Sequence, residues 1–157
     1  MPAHSDFMKI AIQEANIAEA EGEVPVGAVA VIKGEIIARA HNSVIKMHDP
    51  SAHAEILALR ELGLKLKNYR FNEVSLYVTI EPCIMCAGAI IHARIKQLVF
   101  GAHDDKAGAI TLFDMFNDKR LNHHVEVISG VLEQETSEIL QKFFQKKRYR
   151  ERTFNKI

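Results

Sequence analysis

Ser75-Leu-Tyr-Val-Thr-Ile-Glu81-Pro82-Cys83-Ile84-Met85-Cys86 reads as a buried strand running straight into a helix that carries both cysteines of the chain. Val74, Leu76, Tyr77, Val78 and Ile80 are aliphatic or aromatic, as in a buried strand, and the fixed φ of Pro82 suits the first turn of a helix. The spacing puts Cys83 and Cys86 at the mouth of that helix, on one face. A helix N-terminus stabilises anions, so both thiols are expected to lean toward thiolate, the metal-binding form. Upstream, His53-Ala54-Glu55 offers a third soft ligand and a carboxylate.

Outward from this junction the pattern predicts an α/β fold. On the N-terminal side, Ala52 to Leu62 reads as a helix with Ile56, Leu57 and Leu59 inward, Asp49 or Ser51 as cap and Gly63 as stop. Before it, the continuous apolar run Val26 to Ile32 reads as a strand buried on both faces; Lys33-Gly34 turns the chain, and Glu35 to Ala40 returns in a hairpin. A first helix starts near Ser5-Asp6, carries Phe7, Met8, Ile10, Ala11, Ala15, Ile17 and Ala18 at helical spacing, and stops near Gly22. Beyond the cysteine helix, which runs to about Arg94, Leu98 to Phe100 is a short buried strand. The strand, helix and strand here imply a right-handed crossover and parallel pairing. Residues 101–110 read as a loop over the site, 111–117 as a short helix and Val125 to Ile128 as the last strand. A terminal helix from about 132 to 152 includes Ile139, Leu140, Phe143 and Phe144, with one of the two phenylalanine rings expected in the core. The order predicts a five-stranded mixed sheet with helices on both faces.

At 157 residues and 48% hydrophobic, the chain is expected to form one domain over 1–157. It has no apolar run of membrane-spanning length, and its first residues lack the features of a signal peptide, so a cytoplasmic protein without membrane contact is expected. Two cysteines in a single C-x-x-C exclude a disulfide framework. Formal net charge is zero but uneven: Lys142, Lys146, Lys147, Arg148, Arg150, Arg152 and Lys156 stand against Glu151 alone, leaving the rest of the chain acidic. A basic helix on an acidic body suits a polyanion. Cations that only complement the dipole at a solvated helix end would look the same.

C-x-x-C alone also serves thiol redox sites and structural zinc sites. Redox chemistry explains neither His53 nor Glu55, and a closed structural site needs four protein ligands. His53, Cys83 and Cys86 make three, which leaves one position for water. The remaining histidines (His4, His41, His48, His92, His103, His123, His124) are expected to be surface or loop residues. Zinc bound this way lowers the pKa of its water to about 7, and Glu55, in the same helical turn as His53, could take the proton and return it to a leaving group. A glutamate that only satisfies the helix dipole is the plainer alternative.

Several further segments, with those above, resemble the bacterial tRNA adenosine deaminases, which convert the wobble adenosine of the anticodon to inosine. They are Gly22-Glu-Val-Pro-Val-Gly-Ala28, Ala40-His-Asn42, Asp49-Pro-Ser-Ala-His-Ala-Glu55, Tyr77-Val-Thr-Ile-Glu-Pro-Cys-Ile-Met-Cys-Ala-Gly88, Val99-Phe-Gly-Ala102 and Phe143-Phe144 before the basic tail. The H-A-E and P-C-x-M-C pieces are shared with deaminases of free bases and nucleotides such as guanine or cytosine, which remain the alternative. The resemblance implies the cytidine-deaminase-like three-layer α/β/α sandwich, a homodimer, and a tRNA anticodon stem-loop as partner. It implies one zinc per subunit on His53, Cys83 and Cys86, with Glu55 shuttling protons. It also implies that Asn42 bonds the target nucleotide and that Val26 and the Ala54 backbone line the base pocket. Asp104 and Phe144 would meet the RNA, and Arg148 or its neighbours the phosphates. The segment Ala107-Gly-Ala-Ile-Thr-Leu-Phe113 departs from the family's usual Gly-Ser stretch and is about one residue shorter.

Overall fold

The computed structural model describes residues 2–154, so Lys156 of the basic tail lies outside the described residues. Helix α1 (His4–Ala20) leads into the hairpin of β1 (Gly27–Ile32) and β2 (Glu35–His41). A single turn, α2 (Val44–Met47), and α3 (Ala54–Leu66) precede β3 (Ser75–Ile80), α4 (Ile84–His92) and β4 (Gln97–Ala102). Then come α5 (Ala109–Phe113), a 3-10 turn (Met115–Asn117), β5 (Glu126–Ile128) and α6 (Glu133–Phe154).

The strands form one sheet in the order β2-β1-β3-β4-β5. β1 pairs antiparallel with both β2 and β3, while β3, β4 and β5 run parallel. Alternation along the strands divides the core into two layers. Ala28, Ala30, Leu76, Val78, Leu98 and Phe100 face the α3 and α4 side, against Ala58, Leu62, Ala87 and Ile90. Val29, Val31, Tyr77 and Val99 face α1, against Phe7, Met8 and Ala11. On the α1 side α6 also approaches β4 closely, because a Cβ at Gly101 would overlap Thr136 Oγ1 and the Thr79 carbonyl. Only glycine there lets α6 reach the end of the sheet.

Four local expectations are corrected. The buried face of α3 is Ala54, Glu55, Ala58 and Leu62, with Ile56, Leu57 and Leu59 only half-buried. Small residues at four-residue spacing let α3 lie close to the sheet, and the larger side chains flank that seam. Gly63 does not stop the helix, which runs on to Leu66 and ends at Lys67 in the left-handed conformation (φ 51°). Neither Asp49 nor Ser51 caps it: Asp49 Oδ1 instead accepts bonds from Ser51, and the Ala54 N–H donates to Asn42 Oδ1 at 2.8 Å. The pair Phe143 and Phe144 also differs from expectation, since neither ring is buried. They stack edge to face at 5.3 Å, Phe143 half-buried and Phe144 exposed.

This topology collects the site at one edge of the sheet. Because β1 opposes β3 and β4, the start of β1, the end of β2 and the ends of β3 and β4 share that edge. Val26, Asn42, Glu81 to Cys83 and Asp104 therefore meet although they are far apart in the chain.

Candidate metal centre and substrate cavity

Two helix N-termini converge on the site. His53 is the N-cap of α3 and Cys83 the N-cap of α4, both in extended backbone, with Cys86 one turn into α4. His53 Nδ1 lies 3.6 Å from Cys83 Sγ and 3.5 Å from Cys86 Sγ, and the three ligand atoms all lie within 4.8 Å of one another. A tetrahedron with Zn–S near 2.3 Å and Zn–N near 2.0–2.1 Å has N-to-S edges of about 3.5–3.6 Å. The donor set thus fits zinc both in softness and in spacing, with three protein ligands and one open position.

The two sulfurs are not alike, which corrects the expectation that both lean toward thiolate. Cys83 is pulled down to about 4, chiefly by the hydrogen bond it shares with Cys86 and then by His53 against the opposing effect of burial. Cys86 is pushed up by that same bond, by burial and by the charge of Glu55. One proton is therefore held on Cys86 while Cys83 is ionised, and the bond to Cys83 raises the His53 imidazole above its ordinary value. Metal uptake is expected to release protons, with affinity rising about tenfold per pH unit for each proton displaced. Calorimetric zinc titration in buffers of different ionisation enthalpy counts them; an affinity independent of pH around neutrality would show that both sulfurs were already ionised.

Glu55 lies in the first turn of α3 and is 3% exposed. Burial pushes its carboxyl up, and the bond to its own backbone N–H and the charge of His53 only partly offset this. A carboxyl so placed can hold a proton nearer neutral pH than an exposed glutamate can.

These groups border a cavity of about 390 Å³. Of the residues singled out in the sequence, Val26, Asn42, His53, Glu55, Cys83, Asp104 and Phe144 line it. Cys86 is fully buried behind Cys83. Ala54 is also fully buried and does not line the cavity; its N–H is spent on Asn42. Arg148 lies beyond the cavity on α6, in a surface groove with Gln145, Tyr149 and Arg152.

Other lining residues were not read as part of the site in the sequence, among them Glu23, Glu81, Val44, Ile45 and Leu140. Glu23, 1% exposed, accepts the Ile45 N–H at 2.8 Å and the Lys46 N–H at 3.3 Å, which fastens α2 beside the cavity. Glu81 accepts bonds from residues more than twenty positions downstream, for which a strand-exit glutamate carries no sequence signal. Among the histidines, His41 pairs with Glu14, His4 with Tyr77, His103 with Glu81 and His123 with the Ile95 carbonyl.

The model of the MafB19-like deaminase family matches residues 3–148. A tRNA-specific adenosine deaminase of Haemophilus influenzae is 54% identical over 144 residues, covering 90% of this chain and 83% of the relative. One from Bacillus subtilis is 48% identical over 151 residues, covering 96% and 94%. A solved structure from a study of A-to-I editing by tRNA:A34 deaminases at the wobble position of transfer RNA superposes with a TM-score of 0.84. It is 43% identical and covers 87% of this chain and 99% of its own.

Proposed function

We propose, from the premise that this chain belongs to the MafB19-like deaminase family and within it to the tRNA-specific adenosine deaminases, that its cavity receives the wobble adenosine of a tRNA anticodon loop and converts it to inosine. The observation that carries the reading is one cavity bordered by a three-donor His/Cys/Cys group and a buried carboxyl, with a basic helix beside it. The whole chain acts as one deaminase domain.

His53, Cys83 and Cys86 would hold zinc, which would supply Lewis acidity to a water and make hydroxide available near neutral pH. Glu55 takes the water proton and passes it to a ring nitrogen of the purine as oxygen bonds to C6; it then moves the proton of the new C6 hydroxyl to the amino group, so that the C6–N bond breaks, ammonia leaves and the oxygen becomes the carbonyl of inosine. Its buried position suits both halves of that transfer. Asn42 is held by the Ala54 N–H on Oδ1, which leaves Nδ2 free to donate to the nucleotide. Ala54 contributes by fixing Asn42, and Val26 borders the base. Asp104 and Phe144 flank the entering strand, and Arg148 and its neighbours meet phosphates. A loop nucleotide reaches such a cavity at modest cost because it is already unpaired.

Ile84 and Met85 on α4 and Leu112 and Phe113 on α5 are exposed large apolar side chains, on two helices whose N-terminal ends are joined by the Cys83–Gly108 bridge. They support self-association of two copies, the homodimer implied by resemblance. Among the described residues no helix is long and apolar enough to cross a membrane, and a cytoplasmic location is part of the same reading.

Inosine formation in an anticodon stem-loop, measured beside free adenosine, cytidine, cytosine and guanine at low and moderate salt, tests the proposal. Conversion confined to the wobble position, slowing as salt rises, is the expected result. Ammonia released from a free base without reaction on RNA would overturn the substrate and leave the basic helix a solvated end.

A further inference from the structure

Glu81 has no task in the mechanism above, yet it is the most heavily bonded side chain at the cavity. Its side chain has no solvent exposure. Oε1 accepts the Thr111 hydroxyl at 2.6 Å, the Asp104 N–H at 3.1 Å and His103 Nδ1 at 3.2 Å. Oε2 accepts the N–H groups of Thr111 at 2.8 Å and Ile110 at 2.9 Å. All of these donors sit on the segment 103–111. On its other side Glu81 belongs to the metal-ligand junction: its N–H donates to the Ala102 carbonyl at 2.8 Å, and Pro82 and Cys83 follow it directly.

The backbone is stitched across the same seam. The Ala109 N–H donates to the Pro82 carbonyl at 2.9 Å, and Cys83 bridges Gly108. A Cβ at Gly108 would overlap the Glu81 carboxylate, so the carboxylate rests on bare backbone that only glycine provides. Burying a carboxylate carries a desolvation penalty that is recovered only through such a full set of donors. One wall of the cavity, Asp104 to Ala107, is thereby held at a set distance from Cys83.

We propose that Glu81 is a positioning residue for the RNA: by gathering 103–111 onto the Glu81–Cys83 junction, it preforms the wall along which the substrate strand enters. The inference rests on the functional reading above. A preformed wall lowers the ordering that substrate must otherwise impose, so Glu81 acts on binding and not on the chemical step.

The test compares the full-length, zinc-loaded protein with its Glu81→Gln variant on an anticodon stem-loop. Glutamine keeps the shape but turns one oxygen into an NH2 group that cannot accept, so either the bond from the Asp104 N–H or those from the Ile110 and Thr111 N–H groups are lost. The expected result is a KM for the stem-loop raised about tenfold, with kcat per bound zinc within about threefold. Backbone amide exchange should quicken at Asp104, Ile110 and Thr111. A role confined to general stability would lower the amount of active enzyme and leave KM in place. Thr111→Val, which removes only the hydroxyl donor, should raise KM by less and serves alone if the glutamine variant does not fold. An unchanged KM, a fall in kcat per bound zinc without a change in KM, or a Glu81→Gln variant that loses the metal overturns the proposal. If the unmodified protein leaves the stem-loop unreacted, the functional reading has failed, and the exchange data still decide whether Glu81 orders the loop.

Discussion

Glu55→Gln is expected to keep the zinc and the fold and to lose about 10²–10⁴ in kcat, the usual weight of a positioned general acid-base group. The expectation follows from burial. Glu55 is 3% exposed with its carboxyl pushed up, chiefly by desolvation, so it can both accept and return a proton in a site shielded from bulk water. Glutamine has nearly the same volume and avoids burying a charge, so thermal stability should hold or rise slightly. KM for the stem-loop should move little, because the residues proposed to meet RNA are untouched. Single-turnover inosine formation with metal content measured on the same sample checks this. Turnover equal to the unmodified protein at full zinc occupancy would sink the proton-shuttle role.

Cys83→Ala is the second large effect. It removes one of three donors from a group to which the described residues add no fourth ligand, and His53 and Cys86 alone do not hold zinc tightly. Because binding to the folded chain alone stabilises it, loss of a ligand present at about a thousand times its dissociation constant removes about 4 kcal/mol. For a chain of this size that is a fall in Tm of about 8–16 °C. The variant should melt near the temperature of chelator-stripped unmodified protein, with no turnover and little zinc. Retained zinc with normal turnover would show that the metal sits elsewhere. A variant that loses zinc yet melts with the intact holoprotein would show that the metal carries no folding energy.

Some of the site was legible because its signals are local. Cys83 and Cys86 are separated by one helical turn, Pro82 stands just before the N-cap of that helix and not in its first turn as expected, and His53 and Glu55 fall within three residues of each other. Periodicity likewise marked β1, β3 and β4, whose side chains alternate between two buried layers. Where a signal had to compete with tertiary packing it was misread. Gly63 looked like a stop, yet α3 continues through it, since packing over Ala58 and Leu62 outweighs the roughly 1 kcal/mol propensity cost of one glycine. Phe143 and Phe144 suggested a core ring, but α6 brings Phe144 to the cavity rim with Phe143 half-buried beside it, and the buried apolar side chain is Leu140, one turn earlier.

The sequence by itself therefore determined the sheet, the three donors and the carboxyl beside them, because each rests on residue type and on spacing within a strand or a helical turn. Tertiary structure alone decided which sulfur keeps its proton, since Cys83 and Cys86 part ways through burial, their mutual bond and the charges around them. It alone brought the Asn42 side chain to the first amide of α3 and gave Glu81 and Glu23 their loops. Those partners lie from 12 to 30 residues away in the chain, and a buried polar group takes whichever donors the packed strands deliver to it, which no local pattern encodes.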